Sequence, residues 1–460
     1  MRRGINDIIP YFSRYSGGFK MISPFLFLLG AVLGAFVNWF VDRFCWTPRF
    51  RSPWRPLPPF ATVPSKKKRK ESTPFQKIPL DFVPIIGWIS LSRLSAYIEN
   101  APEAERPSGL EDRNFWLRPF FVELFAAIGI CWLFWWEVNQ QALLPVGLPS
   151  EPWSTCVLRF GAHVLLFTLL FAASLIDFDD MIIPDILTVI GLMFGLGIAM
   201  LLPQTLLPAT ELGLQAGQIV VESSAVPLNV CSPHPAWSEV PTFGKAVLAV
   251  GLWWFWCFAM LDRVWYTKLS FRKAAALFFR RLKRSPMTRT WLRAAVICPG
   301  TFVFLWMLGV MPAEAFLTNG LLSALIGMAT GMCLIWIARL VAGFVLSREA
   351  MGFGDVTLMG MIGAFVGWQN TILIFFLAPC IGLGFGIVNY LAGRGKELPY
   401  GPFLCLATAF VVIAWQSVWD YVAPIFEFGP VFIAVAMAVC LLLLGVMLWT
   451  WLLIKQRIFR

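Results

Sequence analysis

The stretch that decides the fold runs from residue 155 to residue 200 and has the sequence TCVLRFGAHVLLFTLLFAASLIDFDDMIIPDILTVIGLMFGLGIAM. Its two apolar runs, 155–176 and 184–202, each approach the roughly 20 residues that a helix needs to cross a bilayer. Between them lies an acidic segment that begins at Asp177. The pattern predicts two membrane-spanning helices joined by a short acidic turn.

The whole chain has the composition of a membrane protein. Of its 460 residues, 58% are hydrophobic and 14% are charged, against about 25% charged in soluble domains, which excludes a soluble enzyme. We therefore expect an all-α polytopic transmembrane helix bundle of about eleven spans. The apolar runs are Met21–Phe44, Trp116–Trp136, Thr155–Ile176, Pro184–Leu202, Phe243–Leu261, Ala294–Met311, Thr318–Leu346, Val356–Trp368, Thr371–Leu391, Pro402–Val422 and Gly429–Ile454.

The distribution of basic residues predicts the topology. Of the 37 Lys and Arg residues, 13 lie in 43–113 and 10 in 263–293, whereas 137–154 and 203–242 contain none. Basic residues concentrate in the cytoplasmic loops of membrane proteins. We therefore expect the N-terminus outside and the C-terminus in the cytoplasm, although four basic residues before the first span lie on the opposite side.

The basic segments beside the spans also indicate a partner. The run Lys66–Lys70 and the basic amphipathic pattern in 263–293 fit a bilayer surface with anionic lipid head groups. No nucleic acid partner is expected, because the net charge of +11 is explained by basic residues concentrated in the predicted cytoplasmic loops.

Carboxylates at the ends of spans are costly and are therefore functional candidates. Each also has a structural explanation. Asp355 could cap a helix, Asp179 and Asp180 could be hydrated turn residues, and Asp185 after Pro184 suits a helix start. Asp177, deepest against its span, is the hardest to explain as a cap.

Asp177 and Asp355 together suggest a chemistry. Two carboxylates held at one membrane face by different spans can share a proton, since like charges a few ångströms apart cannot both ionise cheaply. One then activates water and the other protonates a peptide carbonyl, as in aspartic proteases. Gly352 and Gly354, just before Asp355, would let a substrate approach closely.

At these residues the sequence resembles the type IV prepilin peptidases, which belong to the GxGD membrane aspartyl proteases. Six stretches occur in the order of the family's motifs. They are Gly34–Arg43 (GAFVNWFVDR), Val83–Trp88 (VPIIGW), Arg118–Leu124 (RPFFVEL), Asp177–Asp185 (DFDDMIIPD), Met351–Asp355 (MGFGD) and Leu398–Leu404 (LPYGPFL).

The resemblance implies a multi-pass protein of the bacterial cytoplasmic membrane. Its activity would be removal of the leader from type IV prepilins or type II secretion pseudopilins, after a glycine at the cytoplasmic face. The positions matching the family's catalytic residues are Asp177 and Asp355. The supporting positions are Gly352, Gly354, Asp179, Pro184 and Asp185.

The chain departs from the family in its first cytoplasmic loop. Many members carry two CxxC pairs there, associated with zinc, but residues 88–118 contain no cysteine. We therefore expect no zinc, no other metal and no cofactor. The altered loop also argues against the S-adenosylmethionine-dependent methylation that family members often perform. Thr357 replaces the family's lysine after the second aspartate.

The resemblance implies an eight-span core with additions. The expected segments are 1–44, the outside N-terminus and first span; 45–115, a basic cytoplasmic loop; and 116–202, spans two to four with the first catalytic aspartate. They continue with 203–312, an insertion of an outer loop, two spans and a basic loop; 313–428, the spans with the GxGD aspartate; and 429–460, an extra C-terminal span.

Three other functions remain open at this point. A catalytically silent relative would keep the fold without activity. A magnesium-dependent membrane transferase could bind a cation through Asp177, Asp179, Asp180 and Asp185. A transporter would use its carboxylates to relay protons, and would show inverted repeats.

Overall fold

The computed structural model describes residues 9–46, 51–54, 77–95, 114–215, 218–221, 225–234, 242–260, 271–286, 289–290, 293–294, 319–346, 351–393 and 398–458. The helices in these ranges are α1 (Ile9–Phe44), α2 (Ile86–Leu91), α3 (Leu117–Phe134), α4 (Trp153–Asp180), α5 (Asp185–Leu201), α6 (Thr242–Ala259), α7 (Phe271–Arg284), α8 (Asn319–Leu346), α9 (Phe353–Leu391), α10 (Gly401–Ile413), α11 (Trp415–Phe426) and α12 (Gly429–Ile458).

Strands occupy a small part of the described chain, within the predicted outer loop. They form two antiparallel pairs, one of β1 (Pro208–Ala209) with β4 (Val226–Pro227) and one of β2 (Leu212–Gln215) with β3 (Gln218–Val221). Short 3-10 turns lie at Pro79–Phe82 and Pro203–Thr205, and a π-helical turn at Trp135–Asn139 extends α3.

The predicted all-α polytopic fold is confirmed. In the ranges described, five helices are long and apolar enough to cross a membrane, or six if α10 and α11 form one span. Helix α5 and parts of α6 and α12 are shorter apolar helices. The count of eleven spans stays a prediction, because the run Ala294–Met311 lies almost wholly outside the described residues.

Two of the predicted apolar runs meet at a break in α9. The runs Val356–Trp368 and Thr371–Leu391 lie on either side of a kink, within a few residues, because Gly367 has non-helical dihedral angles (φ 80°, ψ 168°). Only glycine adopts these angles without strain. The predicted run Pro402–Val422 also contains a break, because α10 ends at Ile413 and α11 begins at Trp415.

The described residues divide into two compact units. The first contains the residues up to Leu143, Ser150–Leu187 and Leu377–Ile413, and the second contains Leu144–Pro149, Thr188–Phe376 and the residues from Ala414 onward. The six expected segments, 1–44 to 429–460, stay a prediction, because the units follow packing rather than chain order.

In the first unit, small residues let α1 and α3 pack closely. A Cβ atom on Gly30 would lie 2.5 Å from the Ala127 Cα, and one on Gly34 would lie 2.6 Å from the Glu123 Cα. Such contacts bring two backbones together without intervening side chains. This close helix packing explains why the first motif has a glycine at position 34.

The buried Glu123 carboxylate joins three segments of the first unit. Its Oε1 accepts hydrogen bonds from Asn38 Nδ2 on α1 at 3.1 Å and from Trp88 Nε1 on α2 at 2.7 Å. Its Oε2 accepts the backbone N–H of Ile85. Asn38 also donates to the Pro119 carbonyl at 3.0 Å. Three motif stretches that are far apart in sequence thus meet at one carboxylate.

In the second unit, α8 and α9 cross at glycines. A Cβ atom on Gly327 would overlap the Gly363 carbonyl, and one on Gly331 would overlap the Met359 carbonyl. The crossing point is therefore backbone against backbone, and neither helix can accept a side chain there without moving.

The predicted outer loop is part of the second unit rather than a separate insertion on its surface. Trp368 Nε1 donates to the Val230 carbonyl at 2.9 Å, and Gln369 Nε2 donates to the Asn229 carbonyl at 2.8 Å. Trp415 Nε1 donates to the Pro208 carbonyl at 2.7 Å. The loop's carbonyl groups thus satisfy polar side chains beside the break at Gly367.

Gly327→Ala is expected to destabilise the protein by about 1–3 kcal/mol, because the added methyl group meets a backbone carbonyl that cannot rotate away. Thermal unfolding in detergent micelles measures the effect. The matched control is Gly161→Ala on α4, where nothing lies within 4 Å of the new Cβ. An equal melting temperature for the two variants would contradict the described helix crossing.

Glu123→Gln is expected to lower the free energy of unfolding by about 1–3 kcal/mol, because an amide group would face the Ile85 N–H donor and leave it unsatisfied. Denaturant unfolding in micelles measures the loss. Glu427→Gln, at an exposed site at the end of α11, is the control. Unchanged stability in Glu123→Gln would show that the carboxylate does not hold these segments together.

Candidate active site

Asp177 is a buried carboxylate in the last turn of α4, with 5% of its surface exposed. Its Oδ2 accepts a hydrogen bond from the backbone N–H of Gly401 at 3.1 Å. Gly401 is the first residue of α10. The amide groups at a helix start carry a partial positive charge, so the first turn of α10 favours a negative charge on Asp177.

The position of Gly401 accepts no side chain. A Cβ atom there would lie 2.5 Å from Asp177 Oδ2 and 2.9 Å from Ile183 Cδ1. Pro402, in the first turn of α10, suits a helix start because its missing N–H would have no partner within the helix. The glycine and proline of the LPYGPFL stretch thus bring a backbone donor to the first aspartate.

The chain turns sharply after Asp177. Met181 adopts a left-handed conformation (φ 55°, ψ 35°) and its N–H bonds the Asp177 carbonyl at 2.9 Å, which ends α4. Asp185 then opens α5 as an exposed residue, directly after Pro184. Pro184 and Asp185 therefore both lie at the start of a helix, as the structural explanation of these residues predicted.

Asp179 is an ion-pair centre, so the interpretation of this residue as a hydrated turn residue was wrong. Its buried carboxylate bonds Arg51 Nη2 at 2.8 Å and Arg118 Nη1 at 2.7 and 2.9 Å. The neighbouring Asp180 accepts the backbone N–H of Trp46. The last turn of α4 is therefore tied to the chain that follows α1 and to the first turn of α3.

Sequence reasoning missed these partners because Arg51 lies in a loop that carries no local motif. The ion pair to Asp179 gives Arg118 a role in holding the first turn of α3 against α4. Cys45, also near this turn, is not an available nucleophile at neutral pH, because burial raises the pKa of its thiol to about 12.

Asp355 belongs to the second unit. It is buried, with 7% of its surface exposed, and lies in the first turn of α9. The helix begins at Phe353, so the interpretation of Asp355 as the cap before the helix was wrong. Its charge lies where the dipole of α9 favours an anion.

Gly352 and Thr357 lie close to Asp355 along the chain. A Cβ atom on Gly352 would lie 3.7 Å from Asp355 Oδ2, at ordinary contact distance. Thr357, at the position of the family's lysine, donates from Oγ1 to the Gly354 carbonyl at 3.0 Å. Thr357 therefore closes the first turn of α9 and carries no positive charge beside the aspartate.

The two aspartates lie in different units, Asp177 in the first and Asp355 in the second. Each is buried at an end of a helix that passes the length and hydropathy test for a span. Within the described ranges, no three His, Cys, Asp or Glu side chains form a group that could hold a metal ion.

Three proteins that are similar to this chain carry the same name. The prepilin leader peptidase/N-methyltransferase of Pseudomonas aeruginosa is 32% identical over 104 residues, which cover 22% of this chain and 34% of the relative. The same protein of Stutzerimonas stutzeri is 34% identical over 104 residues, with the same two shares. That of Escherichia coli K12 is 31% identical over 121 residues, 25% of this chain and 53% of the relative.

This chain thus spans about a third to a half of the length of these curated relatives. No solved structure matches it. Residues 288–387 match the type IV leader peptidase family, and this region contains Asp355. The resemblance found in the motifs is therefore confirmed for the region around Asp355, which is similar to the type IV leader peptidase family.

Proposed function

We propose that this protein is a prepilin peptidase, an intramembrane aspartic endopeptidase in which Asp177 and Asp355 act as a pair. It removes the leader from type IV prepilin or type II secretion pseudopilin precursors, after a glycine at the cytoplasmic face. The family match around Asp355 and the names of the relatives support the peptidase class.

The observation that carries the proposal is the environment of Asp177. A buried carboxylate at the end of a span is costly unless a function requires it. Here the carboxylate receives one backbone donor, from Gly401, at a point where the chain leaves no room for a side chain. This arrangement fixes the position of Oδ2. No described ion pair joins a basic side chain to Asp177, whereas Asp179 pairs with two arginines.

Asp355 supplies the second carboxylate. It is buried in the first turn of α9, preceded by Gly352 and Gly354 in the MGFGD stretch. Gly352 and Gly354 themselves add no side chain beside it. The two carboxylates come from different helices, α4 and α9.

The proposed reaction uses one ionised and one protonated carboxyl group. The ionised group takes a proton from water as the water oxygen bonds to the scissile carbonyl carbon, and the protonated group donates its proton to the carbonyl oxygen. The tetrahedral intermediate then collapses and the C–N bond breaks: the leaving nitrogen takes the proton first removed from water, and a hydroxyl group of the intermediate returns its proton to the carboxylate that had donated one, which restores the starting pair. The pair titrates as one unit.

We also propose that cleavage is not followed by methylation. The printed names of the relatives include an N-methyltransferase activity, which the family resemblance associates with the first cytoplasmic loop. In this chain, residues 88–118 contain no cysteine, so the paired CxxC motifs of that loop are missing from the sequence. The proposed orientation places this loop and the C-terminus in the cytoplasm.

Asp177→Asn and Asp355→Asn are each expected to reduce leader cleavage by about a hundredfold or more, because an amide can neither accept the proton of water nor donate an acidic proton. The measurement is co-expression with a prepilin, followed by gel shift and N-terminal mass. Asp420→Asn, an exposed carboxylate on α11, is the matched control and should cleave normally.

Cleavage that persists in either variant, with the protein inserted in the membrane, would overturn the assignment of the pair. Absence of cleavage in the unmodified chain would favour a silent relative. The same spectrum reports methylation, and a mature pilin whose N-terminal mass carries an added methyl group would overturn the proposed loss of the second activity.

Gly401→Ala is expected to slow cleavage by roughly a hundredfold, since its Cβ would displace Asp177 Oδ2 from its place beside the α10 N-terminus. The same co-expression assay measures the rate. Gly384→Ala on α9 is the control, because nothing lies within 4 Å of its new Cβ. Equal rates for the two alanine variants would show that the Gly401 contact is not needed for catalysis.

A further inference from the structure

A short segment between α1 and α3 exposes an unusual amount of apolar surface. Residues 78–91 contain the 3-10 turn Pro79–Phe82 and helix α2. Soluble surfaces rarely carry contiguous apolar patches of this kind, and such patches mark interaction sites with proteins or membranes. The exposed apolar side chains of the segment are those of Ile78, Leu80, Phe82, Val83, Ile86 and Ile89, the last two being 50% and 52% exposed.

The depth of this segment along the spans follows from its contacts. Ile85 N–H and Trp88 Nε1 both bond the Glu123 carboxylate, and Asn38 on α1 bonds the same group. Glu123 lies six residues after the start of α3, and Asn38 lies six residues before the end of α1. At 1.5 Å per residue, the segment reaches about 9 Å inward from these helix ends.

The spans themselves expose aromatic side chains at that same depth. Trp39, next to Asn38, and Phe121, two residues before Glu123, are both exposed on apolar helices. Exposed aromatic residues near the ends of spans are typical of the belt where a membrane meets water. The segment is therefore level with the membrane boundary rather than beyond it.

Polar groups of the segment form hydrogen bonds with partners inside the segment or directly beside it. The fully buried Asp81 accepts hydrogen bonds from the Ile78 N–H at 2.8 Å, Ser90 Oγ at 2.6 Å and Arg93 Nη2 at 2.6 Å. The backbone N–H groups of Val83 and Gly87 bond the carbonyls of residues earlier in the segment. Irregular backbone at membrane depth requires this kind of internal pairing.

The segment is also held rigidly. Ile85 has φ 65° and ψ −60°, a conformation that a β-branched residue adopts only where the surroundings impose it. The Glu123 carboxylate supplies that constraint by accepting its N–H. A Cβ atom on Gly87 would overlap the Asp81 carbonyl. The exposed apolar side chains are thus presented on a fixed support.

We propose that residues 78–91 form an interfacial element that inserts its exposed apolar side chains among phospholipid acyl chains, in the leaflet at the C-terminal end of α1. Lys77 and Arg93 flank the element, and the run Lys66–Lys70 precedes it in sequence, which suits contact with anionic head groups. The expected loop 45–115 is then not wholly cytoplasmic. This proposal does not depend on the peptidase activity.

The test is site-specific photo-crosslinking of the full chain in vesicles of phosphatidylcholine and phosphatidylglycerol. The photoreactive residue p-benzoylphenylalanine replaces Ile86 or Ile89 in separate variants. Phe125, highly exposed on α3, is the lipid-facing control, and Ser150, exposed in the loop before α4, is the control outside the spans. Intact-mass analysis after illumination detects covalent phospholipid adducts.

We expect lipid adducts at Ile86 and Ile89 with yields comparable to that at Phe125 and well above that at Ser150. Adducts at Phe125 with none at Ile86 or Ile89 would overturn the proposal. Adducts at Ile86 and Ile89 only to added prepilin, or only to a second copy of the chain, would also overturn it and would identify a protein-docking face instead.

Discussion

A carboxylate buried among apolar helices is stable only when donors surround it, and this constraint organises the first unit. Removing a charge from water costs several kcal/mol unless hydrogen bonds or an opposite charge offset the loss. Glu123 meets the requirement with donors from α1 and from the segment around α2. Asp179 meets it with two arginines, and Asp81 with one arginine and two further donors. Segments far apart in sequence are thereby fixed together.

Asp177 differs from these structural carboxylates. Asp177 has a single described donor, the backbone N–H of Gly401, and that donor comes from the start of a helix. Asp355 lies in the first turn of α9, where the helix dipole also favours an anion. In the proposed mechanism, the single described donor to Asp177 leaves carboxylate oxygen available for water and substrate, whereas pairing with two arginines, as at Asp179, does not.

The sequence predicted what depends on composition and on local motifs. Apolar run length predicted the helical membrane fold, and the ordered motifs predicted the family. The predicted division between the runs Val356–Trp368 and Thr371–Leu391 lies beside the break at Gly367, but sequence did not reveal the backbone conformation of that glycine, since an isolated glycine gives no sign of a positive φ. The Arg51 partner of Asp179 was missed for a different reason: the pairing depends on tertiary packing between distant segments. Asn38 and Glu123 lie in two of those motifs, and their hydrogen bonds join α1 to α3.

The central proposal is that Asp177 and Asp355 act as a catalytic pair. The most direct measurement is thiol cross-linking of the double variant Asp177→Cys with Asp355→Cys by a short bifunctional reagent, compared with each single variant because the chain has ten native cysteines. The account predicts a covalent link between peptides containing positions 177 and 355, found only in the double variant. Efficient labelling of both introduced thiols without any link between them would contradict the account.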